Sequence, residues 1–407
     1  RTDQPMNRLL QGDVGSGKTV VAAAAMALTA AAGAQAALMA PTAILAEQHY
    51  QTVSGLVEKA PGRRPVVRLL TGNVTGQERE EIYAGLANGS VDIVVGTHAL
   101  IQEGVEFKEL AFAVVDEQHR FGVRQRSALR QKGYNPHLLV MTATPIPRSL
   151  ELTVWGHLDV SIIDEMPPGR KPVTTVVLPN TRRAEVVERV LSACKQGRQA
   201  YWVCTLIEES EALQCQAAEE AAAELELALP ELKIGLIHGR LKGTVKESIM
   251  ARFKQGDLDL LVATTVIEVG VDVPNASLMV IENPERLGLA QLHQLRGRIG
   301  RGTLESHCVL MYNAPISQNA RERLRVMRES NDGFVIAQRD LELRGPGEVL
   351  GTRQTGEMQF RIADVLRDQP MLPQVQRAAE MMLQQYPDNV EPLMRRWIAE
   401  RERYIHA

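Results

Sequence analysis

Residues 12–19 combine three glycines, a lysine and a threonine in one short segment, GDVGSGKT. The segment fits the pattern G-x-x-x-x-G-K-[ST], in which backbone N–H groups and the lysine hold a triphosphate and the last hydroxyl ligates Mg²⁺. The apolar pair Leu9–Leu10 precedes it, and an Ala-rich segment that predicts a helix follows it. This context favours a phosphate loop over an ordinary glycine turn. The expected ATP-binding residues are Gly12, Asp13, Val14, Gly15, Ser16, Gly17, Lys18 and Thr19.

Two adjacent carboxylates end a second apolar segment, VVDEQH at residues 114–119. In a phosphate-loop hydrolase such a pair divides the chemistry. Asp116 would hold the Mg²⁺ of the nucleotide, and Glu117 would orient and deprotonate the attacking water. By itself the pair is equally compatible with a solvated turn, but the phosphate loop in the same half of the chain favours the catalytic interpretation.

Two threonines, Thr142 and Thr144, follow a third apolar segment, LLVMTATP. We expect their hydroxyls to contact the region of His119 and to respond to the γ-phosphate. A Ser/Thr turn before the proline explains the same residues equally well.

Three arginines interleaved with glycines lie in the second half, in QLHQLRGRIGR at residues 291–301. We expect Arg296, Arg298 and Arg301 on a short helix that points into a cleft, because a triphosphate bound from one side needs positive charge from the other in the transition state. The alternative is a basic surface helix.

Short apolar segments alternate with helical ones from Asn7 to about Asp164, which predicts a parallel sheet covered by helices. The predicted strands are NRLLQ, AQAALMA, VVRLL, VDIVVGT, FAVVDE and HLLVMTA in the first half, and QAYWVCTLI, IGLIHG, LDLLVATT, LMVIENP and HCVLMY in the second. The segment Met166–Val173, with three prolines and a glycine, predicts a linker. The alternation then resumes without a second phosphate loop. We therefore expect two α/β lobes with a cleft between them. After Asn313 the pattern predicts helices at residues 319–330 and 333–342, a glycine-rich loop and a helical tail.

Composition limits the remaining function classes. The chain has 407 residues, 44% of them hydrophobic, and a net charge of −3, so any contact with a polyanion must be local. The four cysteines show no C-x-x-C pair and predict reduced, mostly buried thiols in a cytoplasmic protein. We find no candidate membrane span or signal peptide. Because the chain starts at Arg1, just before the phosphate loop, we expect a fragment of a longer protein.

The ordered segments resemble the motifs of superfamily 2 helicases: GDVGSGKT, APTAILAEQH, IVVGTHALIQ, VVDEQHRFGV, TATPIPR, GLIHGRL, ATTVIEVGVDVPNA and HQLRGRIGR. Two longer segments, DEQHRFGVRQRSAL and QRDLELRGPGEVLGTRQTG, resemble the RecG family of DNA branch-migration translocases. The resemblance runs from about Pro5 to the C-terminus. The segment TLIEESEALQ and the tail ending in YIHA favour RecG over the related transcription-repair coupling factor.

This resemblance implies a fold of α/β class, with two RecA-like parallel-sheet lobes in tandem plus a C-terminal helical hairpin and tail. It places lobe 1 at residues 1–165, lobe 2 at residues 166–312, and the hairpin, translocation loop and tail at residues 313–407. An N-terminal wedge domain and an adenine-selecting element of the family are missing from the chain. We therefore expect the motor portion alone.

The resemblance also implies roles for residues that the motifs alone do not assign. It adds Gln294 to the catalytic group of Glu117, Arg298 and Arg301, and it places Gly270 and Asp272 in the cleft beside the nucleotide. The DNA and coupling residues that it implies, together with the threonines and histidine above, are Pro41, Thr42, Gly96, Thr97, His119, Thr142, Thr144, His238, Gly239, Arg323, Arg344 and Gln354.

The activity implied is ATP-dependent translocation on double-stranded DNA that remodels stalled forks and Holliday junctions in recombination and repair, with ATP and Mg²⁺. The implied partner is branched DNA gripped mainly as duplex, with a single-stranded DNA-binding protein as a further partner. The protein would be monomeric, not membrane-bound, cytoplasmic and nucleoid-associated, as in bacteria. Two alternatives stay open, the motor module of a coupling factor and a non-hydrolysing nucleotide-gated clamp on nucleic acid.

Overall fold

The computed structural model describes residues 5–59, 62–117, 128–143, 158–165, 171–205, 211–265, 273–302, 304–344 and 367–397. These residues fall into two compact units. The first lies within residues 1–145 and 158–340, and the described residues of the second begin at Leu341.

Sheet A of the first unit has seven strands in the order β3-β4-β2-β5-β6-β1-β7, and every described pair is parallel. The carboxyl ends of all its strands therefore lie at one edge of the sheet. The strands are β1 (Asn7–Gly12), β2 (Gln35–Met39), β3 (Val67–Leu70), β4 (Ile93–Gly96), β5 (Leu110–Asp116), β6 (His137–Thr142) and β7 (Asp159–Ile163).

Three described helices cover this sheet: α1 (Lys18–Ala31), α2 (Ala43–Val57) and α3 (Gly76–Asn88). Helix α1 is rich in alanine, so it packs closely, and it buries Ala22, Met26 and Ala30 in the core that α1 and α2 form with the sheet. Helix α2 begins where the Thr42 hydroxyl accepts a hydrogen bond from Leu45 N at 3.4 Å.

Sheet B has six strands in the order β10-β11-β9-β12-β13-β8, again all parallel. Its strands are β8 (Thr174–Pro179), β9 (Gln199–Val203), β10 (Ile234–Ile237), β11 (Leu260–Ala263), β12 (Ala276–Glu282) and β13 (His307–Tyr312). The helices associated with it in the chain are α4 (Arg183–Lys195), α5 (Glu211–Ala228), α6 (Gly243–Gln255) and α7 (Leu289–Arg296). Trp202 of β9 lies at the centre of its core.

Two helices follow sheet B, α8 (Gln318–Glu329) and α9 (Gly333–Arg344), joined by the short segment Ser330–Asp332. Ser317 caps α8, since its hydroxyl accepts from Ala320 N at 3.2 Å. Asp332 caps α9 by accepting from Phe334 N at 2.8 Å. We call α8 and α9 the hairpin. In the second unit the described helices α10 (Leu372–Gln385) and α11 (Val390–Trp397) form the end of the described chain.

The predicted fold class, two parallel-sheet lobes followed by C-terminal helices, is confirmed. The domain boundaries at residues 165 and 312 stay predictions. Strands β7 and β8 were not predicted from the sequence. Both are edge strands of their sheets with partly exposed side chains. All four cysteines are free and buried, as expected. Within the described part of the chain, no helix combines the length and apolar character needed to cross a membrane.

Candidate active site

The glycine-rich segment forms the loop between β1 and α1 at the carboxyl edge of sheet A. Gly15 and Gly17 have φ values of 78° and 97°, which favour glycine because a Cβ is strained there. Gly17 is the N-cap of α1, so the loop leads directly into a helix N-terminus. Free N–H groups and the positive end of the helix dipole at this position suit an anionic ligand.

Lys18, the first residue of α1, is buried with its ammonium group turned back to the loop. Its Nζ donates to Gly12 O at 2.7 Å and to Asp13 O at 2.9 Å. Burial lowers the pKa of Lys18, and the carboxylates of Asp116, Glu117 and Asp13 oppose that shift. The ammonium group is therefore held close to three acidic side chains. Thr19 follows it on the same turn and is half-buried.

The two predicted carboxylates lie at the end of β5, and the next strand in the sheet is β6. Glu117 has a φ of 50°, an uncommon value for a non-glycine residue that is characteristic of constrained functional positions. Its Oε1 accepts from Ala143 N at 3.3 Å, just beyond Thr142 at the end of β6. Burial, and then the charge of Asp116, raise the pKa of Glu117 to about 7, against the opposing effects of Lys18 and Arg298. A carboxyl with this pKa is suited to proton transfer near neutral pH.

Asp116 has a buried partner that sequence analysis missed, His49 of α2. His49 Nε2 and Asp116 Oδ2 are 2.7 Å apart. Burial alone would raise the pKa of Asp116, but the imidazole of His49 and the ammonium of Lys18 hold it below its ordinary value. Asp116 is thus kept ionised and oriented, as a metal ligand must be. His49 belongs to the segment APTAILAEQH, which resembles a helicase motif. Nothing in the sequence links this histidine to Asp116, 67 positions away.

Two of the three predicted arginines act electrostatically on Glu117 and Lys18 of lobe 1. The charge of Arg298 lowers the pKa of Glu117, and the charge of Arg301 lowers that of Lys18. Neither residue lies on the expected helix, because α7 ends at Arg296 and both follow the turn at Gly297. Gln294, on α7, is half-buried.

Arg296 does not point into the cleft, so the expectation from the sequence is wrong for this residue. Its side chain is buried and turned towards the hairpin. Nη1 donates to Met327 O and to Ser330 O, both at 2.8 Å, and contacts Thr175 Oγ1 at 3.3 Å. The interpretation failed because spacing alone does not reveal that the chain turns at Gly297 between Arg296 and Arg298.

Lobe 2 meets the phosphate loop directly. A Cβ added to Gly297 would lie 2.8 Å from Val14 Cβ, so only glycine permits this approach. Beside it, His293 Nε2 lies 2.7 Å from Asp13 Oδ1. Asp13 Oδ1 also accepts from Val14 N at 2.7 Å. The loop that carries the phosphate-binding glycines is therefore joined to α7 by both packing and hydrogen bonding.

The residues expected along the DNA track lie just after strands in both sheets. Pro41 and Thr42 follow β2, while Gly96 ends β4 and is followed by buried Thr97, whose N donates to Leu70 O at 3.3 Å. His238 and Gly239 follow β10 in lobe 2, where Gly239 O accepts from Lys246 Nζ at 2.6 Å. Each position therefore presents backbone at a strand end, and α2 starts directly after Thr42.

Among the expected coupling residues, Arg323 lies on α8, where its Nη2 donates to Glu285 O at 2.6 Å. Arg344 is the last residue of α9, and the structure describes its backbone only. Gly270, Asp272, His119, Thr144 and Gln354 lie outside the described residues.

Comparison with known proteins places this geometry in a family. Three family models match: "DEAD/DEAH box helicase" over residues 2–153, "Helicase conserved C-terminal domain" over 182–303, and "ATP-dependent DNA helicase RecG, domain 3, C-terminal" over 330–399. The chain is 60% identical to ATP-dependent DNA helicase RecG of Escherichia coli strain K12 over 410 residues, and 58% identical to RecG of Haemophilus influenzae. Both alignments cover 100% of the chain. Along its whole length the chain is therefore similar to the RecG family of helicases.

Solved structures agree with this family. A structure of RecG bound to a three-way DNA junction superposes with a TM-score of 0.74 at 48% identity, covering 91% of this chain and 48% of that one. The helicase MrfA bound to DNA shares the fold alone, with a TM-score of 0.61 at 19% identity, covering 83% of this chain and 52% of that one. The expected resemblance to RecG over the coupling factor is confirmed by the match to the RecG-specific C-terminal model. The chain spans 59% of the length of the RecG relatives above.

The raised pKa of Glu117 predicts a pH-dependent loss of stability. Between pH 4.5 and about 7 the unfolded chain releases this proton while the folded protein keeps it, so stability falls as pH rises through that interval. Glu117→Gln removes the loss, which is on the order of 3 kcal/mol at most. We expect the variant to melt at a higher temperature than wild type at pH 8 in EDTA, with the difference vanishing near pH 4.5. The exposed control Glu58→Gln should show no such difference, and equal curves for wild type and Glu117→Gln at pH 8 would contradict the prediction.

The contact of His49 with Asp116 predicts an effect on Mg²⁺. His49→Ala should raise the Mg²⁺ concentration needed for half-maximal binding of a fluorescent ATP analogue by about tenfold, because Asp116 loses the group that orients it. His49→Gln, which retains an N–H donor, should recover part of the loss. Binding of the same analogue in EDTA measures the structure of the site without metal and should stay within about twofold of wild type in both variants. An unchanged Mg²⁺ requirement in His49→Ala would show that this contact does not position Asp116.

Proposed function

We propose that the chain is an ATP-driven motor that moves on double-stranded DNA and remodels branched DNA. The observation that carries the proposal is one site to which both sheets contribute. Glu117 of lobe 1 lies within electrostatic range of Arg298 of lobe 2, and Lys18 of lobe 1 lies within electrostatic range of Arg301. Such a site can be completed or broken by relative movement of the lobes, which a motor needs.

The chain's own residues account for each part of ATP hydrolysis. The loop from Gly12 to Thr19 would bind the phosphates through backbone N–H groups, and Lys18 would exchange its two carbonyl partners for the β- and γ-phosphates. Glu117 would accept the proton of the attacking water, since a pKa near 7 matches that task. Arg298 and Arg301 would stabilise the charge that develops on the phosphoryl group, with Gln294 contacting the nucleotide from the same side.

The residues present fit a Mg²⁺ ion held partly by the nucleotide. No group of three metal-ligating side chains occurs among the described residues, and Mg²⁺ in such sites takes one or two protein ligands plus phosphate oxygens. Asp116, kept ionised by His49 and Lys18, and the Thr19 hydroxyl would hold it. When bound, the ion neutralises phosphate charge and fixes phosphate geometry.

The nucleic-acid track is proposed along the strand ends that bear Pro41, Thr42, Gly96, Thr97, His238 and Gly239. A net charge of −3 argues against a broad basic surface, whereas backbone N–H groups and helix N-termini hold phosphates locally. Thr142 and Thr144, with His119, would link this track to the γ-phosphate, and Gly270 and Asp272 would do so from lobe 2. Arg323 of the hairpin, Arg344 and Gln354 would convert lobe closure into movement of the duplex.

The substrates are proposed as stalled forks and Holliday junctions, and this rests on the RecG relatives and on the RecG structure whose ligand is a three-way DNA junction. A bacterial, cytoplasmic, nucleoid-associated monomer that also meets a single-stranded DNA-binding protein is part of the same proposal. The non-hydrolysing clamp is the weaker alternative, because Glu117, Arg298 and Arg301 are all retained.

Two substitutions separate binding from hydrolysis. Lys18→Ala should abolish binding of ATP, because no other group of the loop supplies a unit charge at the β- and γ-phosphates. Glu117→Gln should bind ATP while turnover falls by several orders of magnitude. The measurement is ATP hydrolysis with linear, forked and four-way DNA beside a nucleotide titration, with Lys254→Ala on α6 as an exposed lysine control. Wild-type binding of ATP without any DNA-stimulated hydrolysis would favour the clamp.

The two arginines should affect turnover much more than affinity. Arg298→Ala and Arg301→Ala are each expected to lower ATP turnover by about 10³-fold, since charge supplied from the second lobe acts mainly in the transition state. Steady-state kinetics beside a fluorescent-nucleotide titration measure both quantities, and Arg252→Ala on α6 serves as an exposed arginine control. If affinity collapses while turnover per bound nucleotide survives, the arginines bind the ground state and have no catalytic role.

A further inference from the structure

A continuous series of hydrogen bonds joins the phosphate loop to the hairpin. It starts at Asp13 Oδ1, passes through both ring nitrogens of His293, and continues through the guanidinium group of Arg296 to the carbonyls of Met327 and Ser330. The distances are 2.7 Å from Asp13 to His293, 3.1 Å from His293 Nδ1 to Arg296 Nη2, and 2.8 Å to each carbonyl. We call this series the relay.

The direction of each hydrogen bond in the relay follows from chemistry. A guanidinium group only donates, so His293 Nδ1 must accept from Arg296 and carries no proton. The remaining proton of the imidazole is then on Nε2, which donates to Asp13 Oδ1. His293 is thereby fixed in one tautomer and one ring orientation, with a partner on each side.

The centre of the relay is shielded from solvent, whereas its ends at Asp13 and Ser330 are half-buried. His293 and Arg296 are buried, with exposed fractions of 5% and 2%. Hydrogen bonds in such surroundings are strong, and a buried partner left without its hydrogen bond is costly. A hydrogen bond lost between His293 and Arg296 is therefore not readily replaced by one to water. A cavity of about 370 Å³ borders the relay and is also lined by Asn331, Asp332 and Phe334, so the hairpin turn has space beside it.

At its far end the relay is hydrogen-bonded to the C-terminus of α8, the first helix of the hairpin. Met327 lies in the last turn of α8 and Ser330 is the C-cap of that helix. A positive group there interacts favourably with the helix dipole and satisfies carbonyls that have no partner within the helix. Ser330 also accepts from Asp332 N through its hydroxyl at 3.1 Å, and Asp332 caps α9. The position of Arg296 thus bears on both helices of the hairpin.

At its near end the relay starts at Asp13, which also contacts Lys18. The carbonyl of Asp13 accepts from Lys18 Nζ, while the carboxylate of the same residue accepts from His293. If Lys18 turns to a triphosphate, as the proposed function requires, Asp13 loses one of these two restraints. The loop and α7 are also in direct contact at Val14 and Gly297, so the loop does not shift without displacing α7.

We propose that His293 and Arg296 are positioning residues that transmit the state of the phosphate loop from Asp13 to the C-terminus of hairpin helix α8. The inference rests on the proposed function and deepens it, because it names the connection through which ATP binding acts on the hairpin. Neither residue contacts the nucleotide in this scheme. Their effect is on the coupling between hydrolysis and movement.

The first test measures hydrogen exchange of residues 327–335 in the full-length protein, with and without ADP and beryllium fluoride as an ATP mimic. In wild type the mimic should change exchange in this segment. His293→Leu keeps the bulk but removes both hydrogen bonds, and it should lose most of that nucleotide-dependent change while binding the mimic within about threefold of wild type. His293→Gln, which can donate and accept, should restore the change. His307→Leu, a histidine of β13 outside the relay, is the matched control and should behave as wild type.

The second test measures ATP hydrolysed per strand displaced from forked DNA. His293→Leu should raise this ratio by about tenfold, because hydrolysis continues while its connection to the hairpin is broken. Arg296→Met keeps the length of the side chain but removes its donors, so it breaks the relay on the hairpin side and should give the same defect. Thr175→Val removes only a contact of Arg296 that lies outside the relay and should leave the ratio unchanged. A general folding defect around Arg296 would affect all three variants alike.

The following outcomes would overturn the proposed role of the relay. It fails if the nucleotide-dependent exchange change survives in both His293→Leu and Arg296→Met, or if His293→Gln loses it as completely as His293→Leu. In both cases the role of His293 would be structural. A wild-type protein that binds no ATP would overturn the proposed function and the relay with it, whereas ATP-dependent displacement with an intact ratio in His293→Leu would overturn the relay alone.

Discussion

The burial of one positive charge, the ammonium group of Lys18, is the constraint that organises this site. A buried ammonium group is stable only with compensating partners. Here those partners are two loop carbonyls and the acidic side chains of Asp13, Asp116 and Glu117. Parallel pairing makes the arrangement possible, because it brings the ends of β1, β5 and β6 to the same edge of sheet A. The sheet order thereby determines which acidic residues surround the lysine.

The same constraint explains why the acidic residues differ in character. Asp116 has His49 and Lys18 as partners and stays ionised, whereas Glu117 is buried beside a like charge and its pKa rises to about 7. Two adjacent carboxylates thus acquire different roles from their surroundings alone. The unusual φ of 50° at Glu117 turns the second carboxylate towards Ala143 at the end of β6 and away from its neighbour's histidine.

The sequence predicted those features that depend on local pattern. The apolar segments located the central strands, and the glycine spacing located the loop before α1, because both follow from residues close together in the chain. The edge strands β7 and β8 were missed because β7 has no buried residue and β8 has only one, whereas the edge strands β3 and β10, which were predicted, each have two. His49 and His293 were missed for a different reason: their partners lie 67 and 280 positions away, and only the folded topology brings them together.

Gly297 explains why the arginines of one short segment reach both the hairpin and the residues near the phosphate loop. Helix α7 ends at Arg296, and the chain then turns at a residue whose missing side chain admits Val14. Arg296, before the turn, bonds the end of α8, whereas Arg298 and Arg301, after it, act on Glu117 and Lys18. The phosphate loop therefore contacts, at Val14, the turn that separates the arginines acting on Glu117 and Lys18 from the arginine that bonds the end of α8. A side chain at position 297 would separate the loop from both, so the absence of one is what lets a single short segment lie against the loop and the hairpin.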